Sequence, residues 1–276
     1  MYKRILTIQD ISCVGQCSLT VALPILSACG IETAILPTAV LSTHTAGFTG
    51  YTVRDLADDI PAITEHWARE GITFDAVYTG YLGTIPEIDM VIDIIDRLLA
   101  PGGKVFIDPA MADGGKLYPA FGTEYAEAMR ALVAKADYVL PNITEAALLT
   151  GEEYRESYDK AYIGRLCEGL RTLGAKTVVL TGVGFKEQST GIIVDGDGYQ
   201  SYYEHRKISE NRHGTGDIYS AAYVGAVLKG RDAVSAAQIA GDYTVMCLEE
   251  TLKGEPHTYG AKFEAVLPEL IKLLEA

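Results

Sequence analysis

The sequence lacks the features that would place a chain in a membrane, outside a cell or on nucleic acid. No apolar run reaches the length needed to cross a bilayer. The opening stretch MYKRILTIQD has neither the long apolar region nor the small-residue cleavage site of a secretory signal. The five cysteines, Cys13, Cys17, Cys29, Cys167 and Cys247, are odd in number and form no Cys-x-x-Cys pair or His-rich ligand spacing. That excludes a disulfide framework and a zinc ribbon, and reduced thiols are expected. A net charge of −14 argues against nonspecific binding to DNA or RNA, which is driven largely by Lys and Arg on phosphates. The expectation is a cytosolic protein.

Familiar catalytic signatures are missing too. There is no G-x-x-x-x-G-K-[ST], so a P-loop is not the phosphate cradle. Gly182-Val183-Gly184 follows a strand pattern but lacks the third glycine of the dinucleotide fingerprint, which weakens a dehydrogenase reading. No H-E-x-x-H or G-x-S-x-G occurs, which disfavours metalloproteases and esterases.

What is present is a regular alternation. Apolar runs at Arg4 to Ile8, Ile31 to Leu41, Phe74 to Thr79, Lys104 to Asp108, Ala136 to Leu140 and Thr177 to Leu180 read as buried strands. Helical patterns fall between them, at Leu19 to Cys29, Val53 to Arg69, Pro86 to Leu99, Tyr125 to Val133, Ile143 to Thr150 and Tyr162 to Leu173. This predicts an α/β fold: a central, mostly parallel sheet with helices on both faces. Gly191 to Val194 and Tyr199 to His205, separated by Asp-Gly-Asp-Gly, predict an antiparallel hairpin late in the chain. Helices at Asp217 to Leu228, Ala233 to Leu248 and Ala261 to Leu274 close it. No linker or repeat interrupts the pattern, so residues 1–276 are expected to form one domain.

In such folds ligands bind beyond the carboxyl ends of the strands. Acids and hydroxyls collect there: Asp10 and Ser12, Thr43-His44-Thr45, Thr79-Gly80-Tyr81, Asp108 with Asp113, Asn142 with Glu145, and Thr181-Gly182. The stretch Gly214-Thr215-Gly216-Asp217 adds two glycines at the start of a small-residue helix. Glycines let successive amides turn toward one anion, and the helix dipole favours negative charge at that end. A phosphoryl-transfer enzyme needs an anion hole, acids for a metal and a base for the attacking hydroxyl. Gly214, Thr215 and Gly216 supply the hole, Asp108 and Glu145 are candidates to organise Mg²⁺ directly or through water, and Asp217 is the candidate base. Structural readings compete. Gly-Thr-Gly-Asp alone could be a helix-starting turn, and Asn142-x-x-Glu145 fits a capping box.

Taken in order, Asp108-Pro109 with Asp113, PNITEAALLTG (141–151), VVLTG (178–182) and GTGDIYSAA (214–222) resemble the ribokinase-like superfamily over essentially the whole chain. Within it, IQDISCVGQCSLTVALPIL and STHTAGFTGY are similar to the matching segments of pyridoxal kinases. That resemblance implies transfer of a phosphoryl group from ATP to the 5′-hydroxymethyl group of pyridoxal, pyridoxine or pyridoxamine. It implies Ser12 at the pyridine edge and His44, Thr45 and Tyr81 around the substrate, with Tyr118 nearby. Thr181 would approach the nucleotide phosphates. Asp108, Asp113 and Glu145 would lie on the side of ATP, Mg²⁺ and a monovalent cation such as K⁺. A homodimer is implied as well. The residues Cys13 to Leu23 and Ala46-Gly47-Phe48 depart from the common pattern at pocket-facing positions, which leaves the preferred vitamer open. Hydroxymethylpyrimidine kinase is the nearest alternative, and the early A-G-I-Q-A-D segment of that group is absent. A binding protein that kept the pocket without turnover is a further alternative, disfavoured by Asp217.

Overall fold

The computed structural model describes residues 2–45, 47–196, 198–208, 213–254 and 259–276. Nine strands form one sheet in the order β11-β10-β9-β8-β5-β4-β1-β2-β3. Its parallel centre is β2 (Glu32–Leu41), β1 (Arg4–Ser12), β4 (Phe74–Thr79), β5 (Leu99–Ile107), β8 (Tyr138–Val139) and β9 (Thr177–Thr181). The expected late hairpin is present as β10 (Ser189–Gly196) and β11 (Tyr199–Arg206), antiparallel to each other and to β9. Residue 197 of its turn lies outside the described residues. Strand β3 (Val53–Asp55) runs antiparallel to β2 at the opposite edge.

The strands read as continuous apolar runs because both faces are covered. On one face Leu6, Ile8, Val77, Val105, Ile107, Val139, Val178 and Leu180 pack under α2 (Ile60–Arg69), α3 (Ile85–Leu98), α4 (Thr123–Val133), α5 (Ile143–Thr150) and α6 (Lys160–Thr172). On the other, Ile5, Ala76, Tyr78, Phe106 and Val179 pack under α1 (Leu19–Ala28), α7 (Thr215–Leu228), α8 (Ala233–Leu252) and α9 (Leu267–Glu275). Helix α7 is buried almost all round, which its alanines and glycine allow: Gly225 packs on Cys29, where a Cβ would collide with the thiol. No helix among the described residues is long and apolar enough to cross a membrane, and the cysteines are free.

Three differences from the sequence-based expectation have local causes. The stretch Val53 to Arg69 is not one helix. Val53–Asp55 pairs with β2, the Asp55 side chain accepts from the Ala57 amide at 2.7 Å, and α2 starts only at Ile60 with Pro61 in its first turn. Likewise Ala261 to Leu274 contains a 3₁₀ turn at Glu264–Val266, and α9 starts at Leu267 with Pro268 in its first turn. A small hairpin, β6 (Ala112–Asp113) and β7 (Lys116–Leu117), follows β5. Its turn residues Gly114 and Gly115 both have positive φ, 56° and 79°, as a type I′ turn requires. The Asp-Gly-Gly triplet carried that signal.

Candidate active site

The carboxyl ends of β1, β4, β5 and β9 and the starts of α5 and α7 converge. Helix α7 starts at Gly214, which sits at φ 78° in the left-handed region with no side-chain cap. A side chain cannot replace it, since a Cβ would overlap the Gln16 carbonyl oxygen. A Cβ on Gly216 would meet nothing within 4 Å. That side of the first turn of α7 is therefore open, and Asp217 stands in the same turn.

Helix α5 starts in the opposite way. The Asn142 side chain accepts from the Glu145 amide at 2.9 Å, and Glu145 accepts from the Asn142 amide at 2.9 Å, a closed capping box. The other Glu145 oxygen accepts from Met111 at 3.0 Å, and Asn142 donates to the Ala112 carbonyl at 2.8 Å. The structural reading of this tetrapeptide therefore holds. The same contacts place Glu145 beside the segment that follows Asp108.

Four acids share the site. Asp108 is buried, with Oδ2 accepting from Ser220 at 2.7 Å and Oδ1 from the Ala110 amide at 3.2 Å. Burial raises the pKa of Asp108; burial and then the Asp108 charge raise that of Glu145. Asp217 is half-buried and is pushed up to about 7 by desolvation first and by Asp108 second, while the Ser18 amide partly offsets this. Asp10 is raised by burial, against hydrogen bonds from Ser18 and Ser12. Ser18 joins the two ends of the cluster, and it alone among the described non-glycine residues has positive φ, 51°. Such strain concentrates at functional sites.

The remaining candidates surround these acids. Ser12 is buried, donates to Asp10 at 3.3 Å and receives the Cys17 thiol at 3.4 Å. Burial, with Asp217 nearby, pushes that thiol up to about 12, so it is inert as a nucleophile. His44 is buried, with its ring 5.0 Å from Phe48 and 5.7 Å from His213. Thr45 beside it is exposed. The Tyr81 hydroxyl is pushed up to about 12 by burial and by Asp10 and Glu87. Partial burial, then Glu145, Asp108, Asp217 and Asp113, raises Tyr118. Asp113 is exposed and accepts from the Gly114 amide at 2.8 Å. Thr181 donates through its amide and hydroxyl to the Pro141 carbonyl, at 2.9 and 3.3 Å, which fixes it against the start of α5. Sequence reasoning missed Ser18, Tyr78 and Ser220, because each acts through residues distant in the chain.

A model of the phosphomethylpyrimidine kinase family matches residues 23–261. The chain belongs to that family. It is a kinase of that family. Among solved structures, a Bacteroides thetaiotaomicron protein provisionally named a phosphomethylpyrimidine kinase is 32% identical with a TM-score of 0.94, covering 98% of this chain and 94% of that one. An orthorhombic form from that organism was solved with pyridoxal. Pyridoxal kinase from Lactobacillus plantarum is 31% identical with a TM-score of 0.92, covering 100% of this chain and 99% of that one. The hydroxymethylpyrimidine/phosphomethylpyrimidine kinase of Rhizobium meliloti is 29% identical over 83% of this chain and 84% of its own. Relatives thus divide between two acceptors, both hydroxymethyl heteroaromatics.

Proposed function

We propose that this kinase transfers the γ-phosphoryl group of ATP to the 5′-hydroxymethyl group of a B6 vitamer. The observation that carries this reading is the pairing at the start of α7 of an open, glycine-lined helix end with a carboxylate raised to about 7. Asp217 takes the hydroxyl proton, the freed oxygen forms a bond to the γ-phosphorus, and the bond from that phosphorus to the bridging oxygen of ADP breaks. The amides after Gly214 hold the equatorial oxygens as charge develops on them. A base with a pKa near the working pH is well matched to this task.

The donor set fits Mg²⁺ that keeps most of its water. Among the described residues no group of three or more His, Cys, Asp and Glu encloses an ion. Both Glu145 oxygens accept backbone amides, Asp108 has one donor on each oxygen, and both carboxylates keep further acceptor capacity. Mg²⁺ in kinases binds through one or two carboxylates plus substrate phosphates. Asp108 would hold it directly and Glu145 through water, with Asp113 at the rim; bound there, it neutralises charge on the phosphates. Ser12, His44, Thr45 and Tyr81 would surround the ring, and Thr181 would approach the nucleotide.

The pyridoxal-containing Bacteroides form and the Lactobacillus relative favour the vitamer. The family match and the Rhizobium relative support the pyrimidine as a second reading. Coupled ADP release with Mg·ATP, run against pyridoxal, pyridoxine, pyridoxamine and 4-amino-5-hydroxymethyl-2-methylpyrimidine, decides between them. Turnover on a vitamer at least as efficient as on the pyrimidine is the expected result. Turnover on the pyrimidine alone would overturn the vitamer reading.

A further inference from the structure

Ser220 lies one turn beyond Asp217 on α7 and is buried. Buried hydroxyls inside helices commonly bond the carbonyl four residues earlier. Thr64, Thr244 and Thr251 all do so here, at 2.9, 2.7 and 2.6 Å. Ser220 instead reaches across to the end of β5 and donates to Asp108 at 2.7 Å, a contact between residues 112 positions apart. Below it on β4, on the sheet face that packs against α7, stands Tyr78, fully buried. Its hydroxyl lies against Ser220 and Gln9, close enough to Asp108 and Asp217 to feel both charges. Neither the Tyr78 hydroxyl nor Gln9 Oε1 makes a well-formed hydrogen bond, while Gln9 Nε2 donates to Thr7 at 2.8 Å. Packing alone would be served better by Phe at position 78, because an incompletely bonded buried hydroxyl costs stability.

We propose that Ser220, supported by Tyr78, is a positioning residue that fixes the orientation of the Asp108 carboxylate under the transferred phosphate. Ser220 donates to Asp108 Oδ2, and the Tyr78 hydroxyl stands against Ser220 as its support from below, without a closed bond in this arrangement. Asp108 stands between Glu145 and Asp217, and both would turn an untethered carboxylate away. The inference rests on the phosphoryl-transfer reading above.

The test compares wild type with Ser220→Ala and Tyr78→Phe. It measures kcat and KM on the vitamers, Mn²⁺ affinity in the presence of ADP by the paramagnetic resonance of free Mn²⁺, and the thermal midpoint. A hydrogen bond to a charged group corresponds to about tenfold or more, so Ser220→Ala is expected to lower kcat and weaken Mn²⁺ binding about tenfold. KM for the vitamer should stay within about twofold. Tyr78→Phe should act in the same direction, about threefold, without lowering the midpoint. Wild-type kcat and Mn²⁺ affinity in Ser220→Ala would overturn the proposal. So would equal losses in kcat and KM that track a fallen midpoint. Wild type silent on every acceptor, with Mn²⁺ binding weakened in Ser220→Ala, would sink the acceptor reading and support the positioning role. Wild type that binds no Mn²⁺ with ADP would overturn both.

Discussion

Helices α5 and α7 start within one site by opposite means, and the contrast separates structure from chemistry. At α5, Asn142 and Glu145 satisfy each other's backbone amides, so the helix end is closed and its acid is held by the protein itself. At α7 the N-cap residue is a glycine, which has no side chain to close the end: Gly214 turns the backbone left-handed against Gln16, and a Cβ on Gly216 would meet nothing within 4 Å. A closed end stabilises the fold and places a carboxylate. A glycine start leaves room where a capping side chain would stand, and forgoes only about a few tenths of a kcal/mol relative to one. The first kind holds an acid in place, and the second is where the proposed function puts the phosphate.

Substitution at Gly214 should damage both fold and chemistry. Gly214→Ala adds a left-handed penalty of about 1–2 kcal/mol and a clash with Gln16, so its thermal midpoint should fall by ~5 °C and turnover should fall about tenfold or more. Gly216→Ala sharpens the comparison. Its Cβ points into open space, and alanine favours the helix by about 1 kcal/mol. The midpoint should hold or rise while KM for ATP increases several-fold; a variant with normal ATP kinetics would mean that no phosphate approaches this turn. Asn142→Ala should open the α5 box and lower the midpoint by about 3 °C, with a smaller loss of turnover as Glu145 loosens. Scanning calorimetry alongside steady-state kinetics checks all three.

The smallest effect is on stability and depends on pH. The folded pKa of Asp217, about 7, lies above the ordinary carboxylate value of about 3.9. The folded state therefore binds the proton more tightly, and stability falls as pH rises from about 4 to about 7, with the full penalty above that. Asp217→Asn removes the penalty. Its midpoint should exceed that of wild type by a few degrees at pH 8, and the gap should close by about pH 4. A gap that is constant with pH would show that Asp217 carries no such cost.

Much of this was legible in the sequence for identifiable reasons. Strands buried on both faces read as apolar runs, and the acids that end them gather at one end of the sheet. The Asn142-x-x-Glu145 spacing is a local signal that forms the capping box it suggests, and the glycines of α7 are a local signal for the start of that helix. The split of Val53 to Arg69 was hidden because Val53 gains its strand character from pairing with Leu41, which no local pattern records. The same holds for the contact from Ser220 to Asp108 and the double role of Ser18. Both are made by chain closure, and neither residue type is unusual where it stands. Asp113 was equally visible as a strand-end acid, yet it occupies the exposed hairpin beside the buried acids.

The most direct test of the account is γ-phosphoryl transfer from ATP to pyridoxal by wild type and Asp217→Asn, measured beside Mg·ADP affinity in both. The account predicts transfer reduced by about 10²–10⁴ in the variant with nucleotide affinity nearly unchanged. Transfer within about threefold of wild type would contradict the role of Asp217 as the base.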